Sequence, residues 1–203
     1  MEITAIEPRR HRLSQLFLDG EAAVKVDTET LLQQGWKPGM EMTDEELHAL
    51  LQASDNRRAK EKALYLLEYR SHSKKELTDK ISRTASREAA EAAAQRMEEL
   101  GLINDEAYAR ELARSLLERK GYGVRRARQE LLQKGIDREL VEEILEEQAP
   151  DPREKLREIV ERKYQDRLGD EKGYRRTVAA LQRLGYGYED IRAVLREFSQ
   201  EED

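Results

Sequence analysis

The sequence predicts a mainly α protein. Three tandem three-helix, helix-turn-helix-like repeats form an elongated curved array, preceded by a small N-terminal β-hairpin segment. Three observations lead there. The first is a pattern that returns every fifty residues. Ser73, Gly123 and Gly173 stand where a helix would be capped. Lys75, Arg125 and Arg175 follow in its first turn. Leu77, Ala127 and Thr177, then Ile81, Leu131 and Leu181, sit four apart on one face. The second is composition: 39% of the 203 residues are charged, 38% hydrophobic and only 5% aromatic. That is too thin an apolar supply for one large core. It suits slender helical units that each bury one stripe. The third is that apolar residues near the start alternate with period two instead.

The elements come in order. Over 1–54, Ile3 and Ala5, Leu16 and Leu18, and Ala22, Val24 and Val26 alternate, and Asp19-Gly20 between two runs is a hairpin signal. Leu31-Leu32 reads as a short helical turn and Trp36 to Gly39 as a loop. Thr43 to Glu46 is a capping box that opens a short helix through Leu47, Leu50 and Leu51.

The first repeat, 55–104, has a helix face of Ala63, Leu64, Leu66 and Leu67 that Arg70-Ser71-His72 ends. A second capping box at Ser73–Glu76 opens a helix with Leu77 and Ile81. A third, alanine-rich helix (Ala89, Ala90, Ala93, Ala94, Met97, Leu100) stops at Gly101. The second, 105–150, starts on Asp105-Glu106, where the helix dipole favours negative charge. Tyr108, Ala109, Leu112, Leu116 and Leu117 follow at helical spacing. Gly123 can cap the next helix, Gly135 end it, and Asp137 cap the one after, with Leu140, Val141, Ile144 and Leu145. Ala149 to Pro152 is a break. The third, 151–203, has helices through Leu156, Ile159 and Val160, through Val178, Leu181 and Leu184, and through Ile191, Val194, Leu195 and Phe198. A loop is expected at Gly169–Gly173, and a frayed acidic end over Ser199–Asp203.

Several function classes drop out. There is no cysteine, hence no disulfide framework or thiolate metal site. No apolar run approaches membrane-spanning length and no signal peptide opens the chain, so a cytoplasmic protein without membrane contact is expected. His11, His48 and His72 lack metal-ligand spacing, and neither GxxxxGK[ST] nor GxGxxG occurs. Glu139, Glu142, Glu143, Glu146 and Glu147 read as a solvated face. No catalytic constellation and no cofactor is expected. The net charge of −6 weighs against DNA as the main partner.

The basic first turns are the informative feature. Lys74-Lys75, Arg125-Arg126 and Arg175-Arg176 stand at helix starts, where positive charge opposes the dipole by roughly 0.3–1 kcal/mol each. Arg128 extends the middle patch, and Tyr122 and Tyr174 lie beside it. Two readings stay open: solvated ends, or ends that meet something negative. The two Gly-Tyr-Gly tripeptides, 121–123 and 185–187, look alike but sit at different places in their repeats. One could offer a backbone anion site at Gly123. A plain cap and turn is the simpler reading.

The residues also resemble a known family, RecX, the bacterial modulators of the RecA recombinase. The matching stretches are Ala63–Leu67 through Arg70 and Ser73 with Glu76-Leu77; Leu100–Asp105; Tyr108-Ala109; and Gly121–Gly123 leading to Glu130-Leu131 and Lys134–Ile136. Asn104 stands where the family commonly has aspartate, and Leu184 where a lysine would precede the glycine. The resemblance implies a non-enzymatic protein that binds the RecA nucleoprotein filament; separately from it, a monomer is expected. On the filament the protein would inhibit or tune ATP hydrolysis, strand exchange and repressor cleavage in repair and recombination. Weak DNA binding is also implied. The competing reading is a tandem helix-turn-helix protein that binds DNA directly. In that reading the third helix of each repeat would enter the major groove, yet those of the first two repeats are alanine- and glutamate-rich.

Overall fold

The computed structural model describes residues 1–200, with side chains through Phe198, so the frayed end expected over Ser199–Asp203 lies outside the fully described residues. The chain divides into two compact units, Met1–Asn104 and Asp105–Asp203.

The first unit opens with a three-stranded antiparallel sheet, β1 (Ile3–Pro8), β2 (Leu13–Leu18) and β3 (Glu21–Asp27), in the order β1-β2-β3. Asp19 and Gly20 both take positive φ in the β2–β3 turn, as a tight primed hairpin requires. Ile3, Leu16 and Val26 bury one face against Leu31 of α1 (Thr28–Gln34), Met42 and Leu50. Buried Asp27 ties the sheet to the helices after it. Its carboxylate accepts from the Thr30 amide and hydroxyl, its own N–H donates to Ser54 Oγ at 2.7 Å, and Arg57 Nε lies 3.1 Å away.

The short helix expected after Thr43 is instead a single helix of 26 residues, α2 (Asp44–Tyr69), opened by the full capping box. Polar residues 54–58 look like a linker, but no glycine or proline interrupts 44–69, and Ser54 and Ala59 face inward. The helix therefore runs through position 54/55, where the sequence suggests a boundary. Its C-terminal half packs with α3 (Lys74–Ile81) and α4 (Arg87–Glu99) around Ala59, Ala63, Leu77, Ile81, Ala90, Ala94 and Met97. The alanines of α4 let the helices approach closely. Leu64 and Leu100, expected on apolar faces, are half exposed.

The second unit contains α5 (Asp105–Arg114), a π-helical turn (Ser115–Arg119), α6 (Val124–Gln133) and α7 (Arg138–Gln148) around Ala109, Leu116, Leu131, Val141 and Ile144. Asp137 caps α7 by accepting from the Glu139 and Leu140 amides, and Gly135 ends α6 at φ 79°, both as expected. Then come α8 (Pro152–Lys163), a 3-10 turn (Gln165–Arg167), α9 (Glu171–Arg183) and α10 (Tyr188–Gln200). They surround Leu156, Val160, Leu181, Ile191 and Leu195.

The third repeat departs from the fifty-residue register at one point. Asp170, not Gly173, caps α9: its carboxylate accepts from the Gly173 amide at 2.5 Å. Gly173 is thus inside the first turn, and the loop expected at 169–173 is mostly helix. Arg175 and Arg176 sit in the second turn rather than the first.

Candidate partner-binding surface

The start of α6 is where the structure answers the sequence most directly. Gly123 precedes α6 with φ −75°, a value any residue tolerates. Its need for glycine is spatial: a Cβ there would lie 2.6 Å from the Gly185 carbonyl oxygen. The Gly123 N–H donates to Leu184 O at 2.8 Å, and Arg126 Nη1 donates to Arg183 O at 2.8 Å. The carbonyl end of α9 therefore docks on the amide end of α6, opposite ends of two helix dipoles. Tyr186, 5% exposed, closes the joint by donating its hydroxyl to Gly121 O at 3.2 Å, and burial pushes its phenol up to about 12. The two Gly-Tyr-Gly tripeptides are the two halves of one contact. The anion site considered at Gly123 is filled by Leu184 O.

This changes the meaning of the basic first turns. Most of these cations do meet something negative, but within the chain. Arg126 holds the end of α9 and stacks over the Tyr122 ring, 4.2 Å from its centroid. Arg128 forms a two-bond fork with Glu142 of α7 at 2.7 and 2.8 Å. That fork raises the guanidinium pKa and holds the Glu142 carboxyl below its usual range. Arg128 is therefore a brace between two helices and does not extend a free patch. Lys74 reaches Glu98 at 2.7 Å, and Lys75 reaches Asp79 at 3.0 Å. The Lys75 hydrogen bond is the main reason the Asp79 carboxyl is lowered. Arg175 pairs with Glu171 at 2.5 Å across largely hydrated side chains, a contact worth about 0.3–0.5 kcal/mol. Tyr122 and Tyr174 are half-buried and pack on the cores of their own repeats.

Two of the sequence-predicted cations remain exposed and outside any ion pair among the described residues, Arg125 and Arg176. Arg125 lies with Gln129, Gln133, Gln182, Arg183 and Tyr188 in a polar groove of about 470 Å³ across the α6–α9 joint. Tyr188 is 54% exposed there, and the sequence pattern does not single it out. Its one signal is its place directly after the second Gly-Tyr-Gly. Arg176 lies in a second groove on the third repeat, which shares Arg183 with the first. Lys74 and Lys75 belong to the first unit.

A family model described as the second three-helix domain of RecX matches residues 104–145, which here form α5 to α7. A regulatory protein RecX from Caldanaerobacter subterraneus subsp. tengcongensis is 33% identical over 151 residues, spanning 73% of this chain and 76% of that protein. The chain belongs to the RecX family. The regulatory protein RecX of Streptococcus gordonii aligns with all of it at 27% identity, over 79% of its own length. A crystal structure of a regulatory protein RecX shares the fold, with TM-score 0.62 at 22% identity, covering 95% of this chain and 98% of that one. The chain is thus a RecX-family regulator built mainly of three-helix units. Among the described residues, no helix is long and apolar enough to cross a membrane.

Proposed function

We propose that this RecX-family protein binds the RecA nucleoprotein filament and, without chemistry of its own, restrains the filament's ATP hydrolysis, strand exchange and coprotease activity. The observation that carries the reading is family membership across about three quarters of the chain. Charge supports a protein partner over bare DNA. The outer face of α7 bears Glu139, Glu142, Glu143, Glu146 and Glu147, and two of these, Glu143 and Glu147, pair with Arg110 of α5. Such a face repels a phosphate backbone, so α7 is unsuited to lie in a DNA groove.

Within this reading, Arg125 and its groove at the α6–α9 joint face the filament, with Arg175 and Arg176 as further contacts. Repeated modest contacts along one filament then add through effective concentration.

The test is DNA-dependent ATP hydrolysis by RecA filaments as the protein is titrated in, with binding to naked single- and double-stranded DNA measured at the same salt. Inhibition well below the concentrations that bind DNA is the expected result. ATPase loss that tracks DNA sequestration would replace this reading with direct DNA binding.

A further inference from the structure

We propose that the third repeat carries a second binding site, a groove along α9 that takes an acidic polypeptide segment of a partner protein. The groove has a volume of about 800 Å³ and holds four cations, Arg167, Lys172, Arg176 and Arg183. Lys172, Arg176 and Arg183 fall at i, i+4 and i+11 on α9, one row about 16 Å long. Ala179 takes the intervening place in that row at i+7, so the floor stays low between the charged heads. Arg167 comes from the 3-10 turn and stacks near the Tyr164 ring, 5.8 Å from its centroid.

Three further observations fix the chemistry of the occupant. First, none of the four cations is in an ion pair among the described residues, whereas Arg175, one position before Arg176, is paired with Glu171. Four cations against two carboxylates leave the groove net positive. Second, Arg126, fifty residues before Arg176 but in the first turn of its helix, has its acceptor inside the molecule, a main-chain carbonyl at the end of α9. Arg176, in the second turn of α9, has no such internal acceptor among the described residues. Third, Asp166 and Asp170 also line the groove. A continuous phosphate backbone would meet both carboxylates, while a polypeptide with spaced acidic side chains can set them apart from its own charges. The amide end of α9 adds little, because the Gly173 N–H is already taken by Asp170.

The test below uses no RecA, so its failure is distinguishable from failure of the RecA reading, in which Arg176 is also a contact. The groove is tested with the full chain, a fluorescent peptide carrying glutamate at every third position between glycine and serine, and anisotropy at low salt. Competitors are tripolyphosphate and a single-stranded oligonucleotide of equal charge. The variant Lys172→Gln/Arg176→Gln/Arg183→Gln removes the row. The variant Arg162→Gln/Arg192→Gln/Arg196→Gln removes the same net charge from exposed positions outside the groove lining.

The peptide is expected to bind, the row variant to bind about tenfold more weakly, and the control variant to stay within about twofold, as three hydrated pairs would give. Neither competitor should displace the peptide at equal charge. Equal loss in both variants would reduce the effect to net charge and overturn the site. Preferential displacement by the oligonucleotide would make it a nucleic-acid groove, and displacement by tripolyphosphate a simple anion site.

Discussion

The starts of α6 and α9 lie fifty residues apart and share a glycine, yet the two glycines accommodate different neighbours. At Gly123 the neighbour is the carbonyl of Gly185, from the next repeat. At Gly173 a Cβ would lie 1.8 Å from the carbonyl of Arg167, in the turn just before its own helix. The same small residue thus joins two repeats in one case and folds a loop onto a helix in the other. The arginine three residues after each glycine divides the same way. Arg126 is a strut of the joint, and Arg176 is exposed in a groove. A sequence repeat preserves the local geometry of a helix start; what packs against that start is decided elsewhere in the chain.

Gly123→Ala is expected to have the largest effect. The added methyl would meet main-chain atoms of Gly185 that cannot rotate away, so a loss of about 3 kcal/mol is expected in urea unfolding. Amide exchange should rise at both α6 and the α9 C-terminus. Gly173→Ala should cost about 2 kcal/mol, with faster exchange confined to the 3-10 turn and the first turn of α9. Equal exchange profiles for the two variants would erase the distinction. Gly169→Ala, with no atom near the added methyl, is the control and should leave the melt within about 0.5 kcal/mol.

Tyr186→Phe is a smaller change at the same joint. It removes the hydrogen bond to Gly121 O without altering shape, so a loss of about 1 kcal/mol is expected. An unchanged midpoint would show that apolar packing alone holds the joint.

The smallest effect lies in the other unit. His72 is 3% exposed; burial lowers its pKa below 6.5, against a weaker upward pull from Glu76, whose carboxylate lies 3.1 Å from Nδ1. The unfolded chain then binds the proton more readily than the folded one between the two values. Stability contributed by neutral His72 is present above pH 6.5 and is lost as pH falls toward the folded-state pKa. Urea midpoints should decline over that interval, and His72→Gln should remove the decline.

Much of the fold was legible because its signals are local. Capping residues at Thr43, Ser73 and Asp137, the stop at Gly135 and the Asp19-Gly20 turn each act within four residues of themselves. The length of α2 was hidden by a polar run whose inward members, Ser54 and Ala59, are small and give little periodic signal. The start of α9 breaks the fifty-residue register because Asp170, three residues before Gly173, is the better capping residue.

The candidate site was half legible. The sequence showed that cations cluster at helix starts. It could not show that Glu142 of α7 would reach Arg128, or that a carbonyl of α9 would reach Arg126, because those partners are brought in by tertiary packing. The repeated Gly-Tyr-Gly is visible in the sequence. Its meaning needs the two tripeptides to be seen in contact.

The most direct measurement compares Arg125→Glu with Arg126→Ala, each followed by urea unfolding and by inhibition of RecA filament ATPase. Arg126→Ala should lose about 1–2 kcal/mol, from its hydrogen bond to Arg183 O and its stacking on Tyr122. Arg125→Glu should unfold like the parent and inhibit about tenfold more weakly. Full inhibition by a normally folded Arg125→Glu protein, or undiminished stability of Arg126→Ala, would contradict the division between a cation that holds the fold and one that meets the partner.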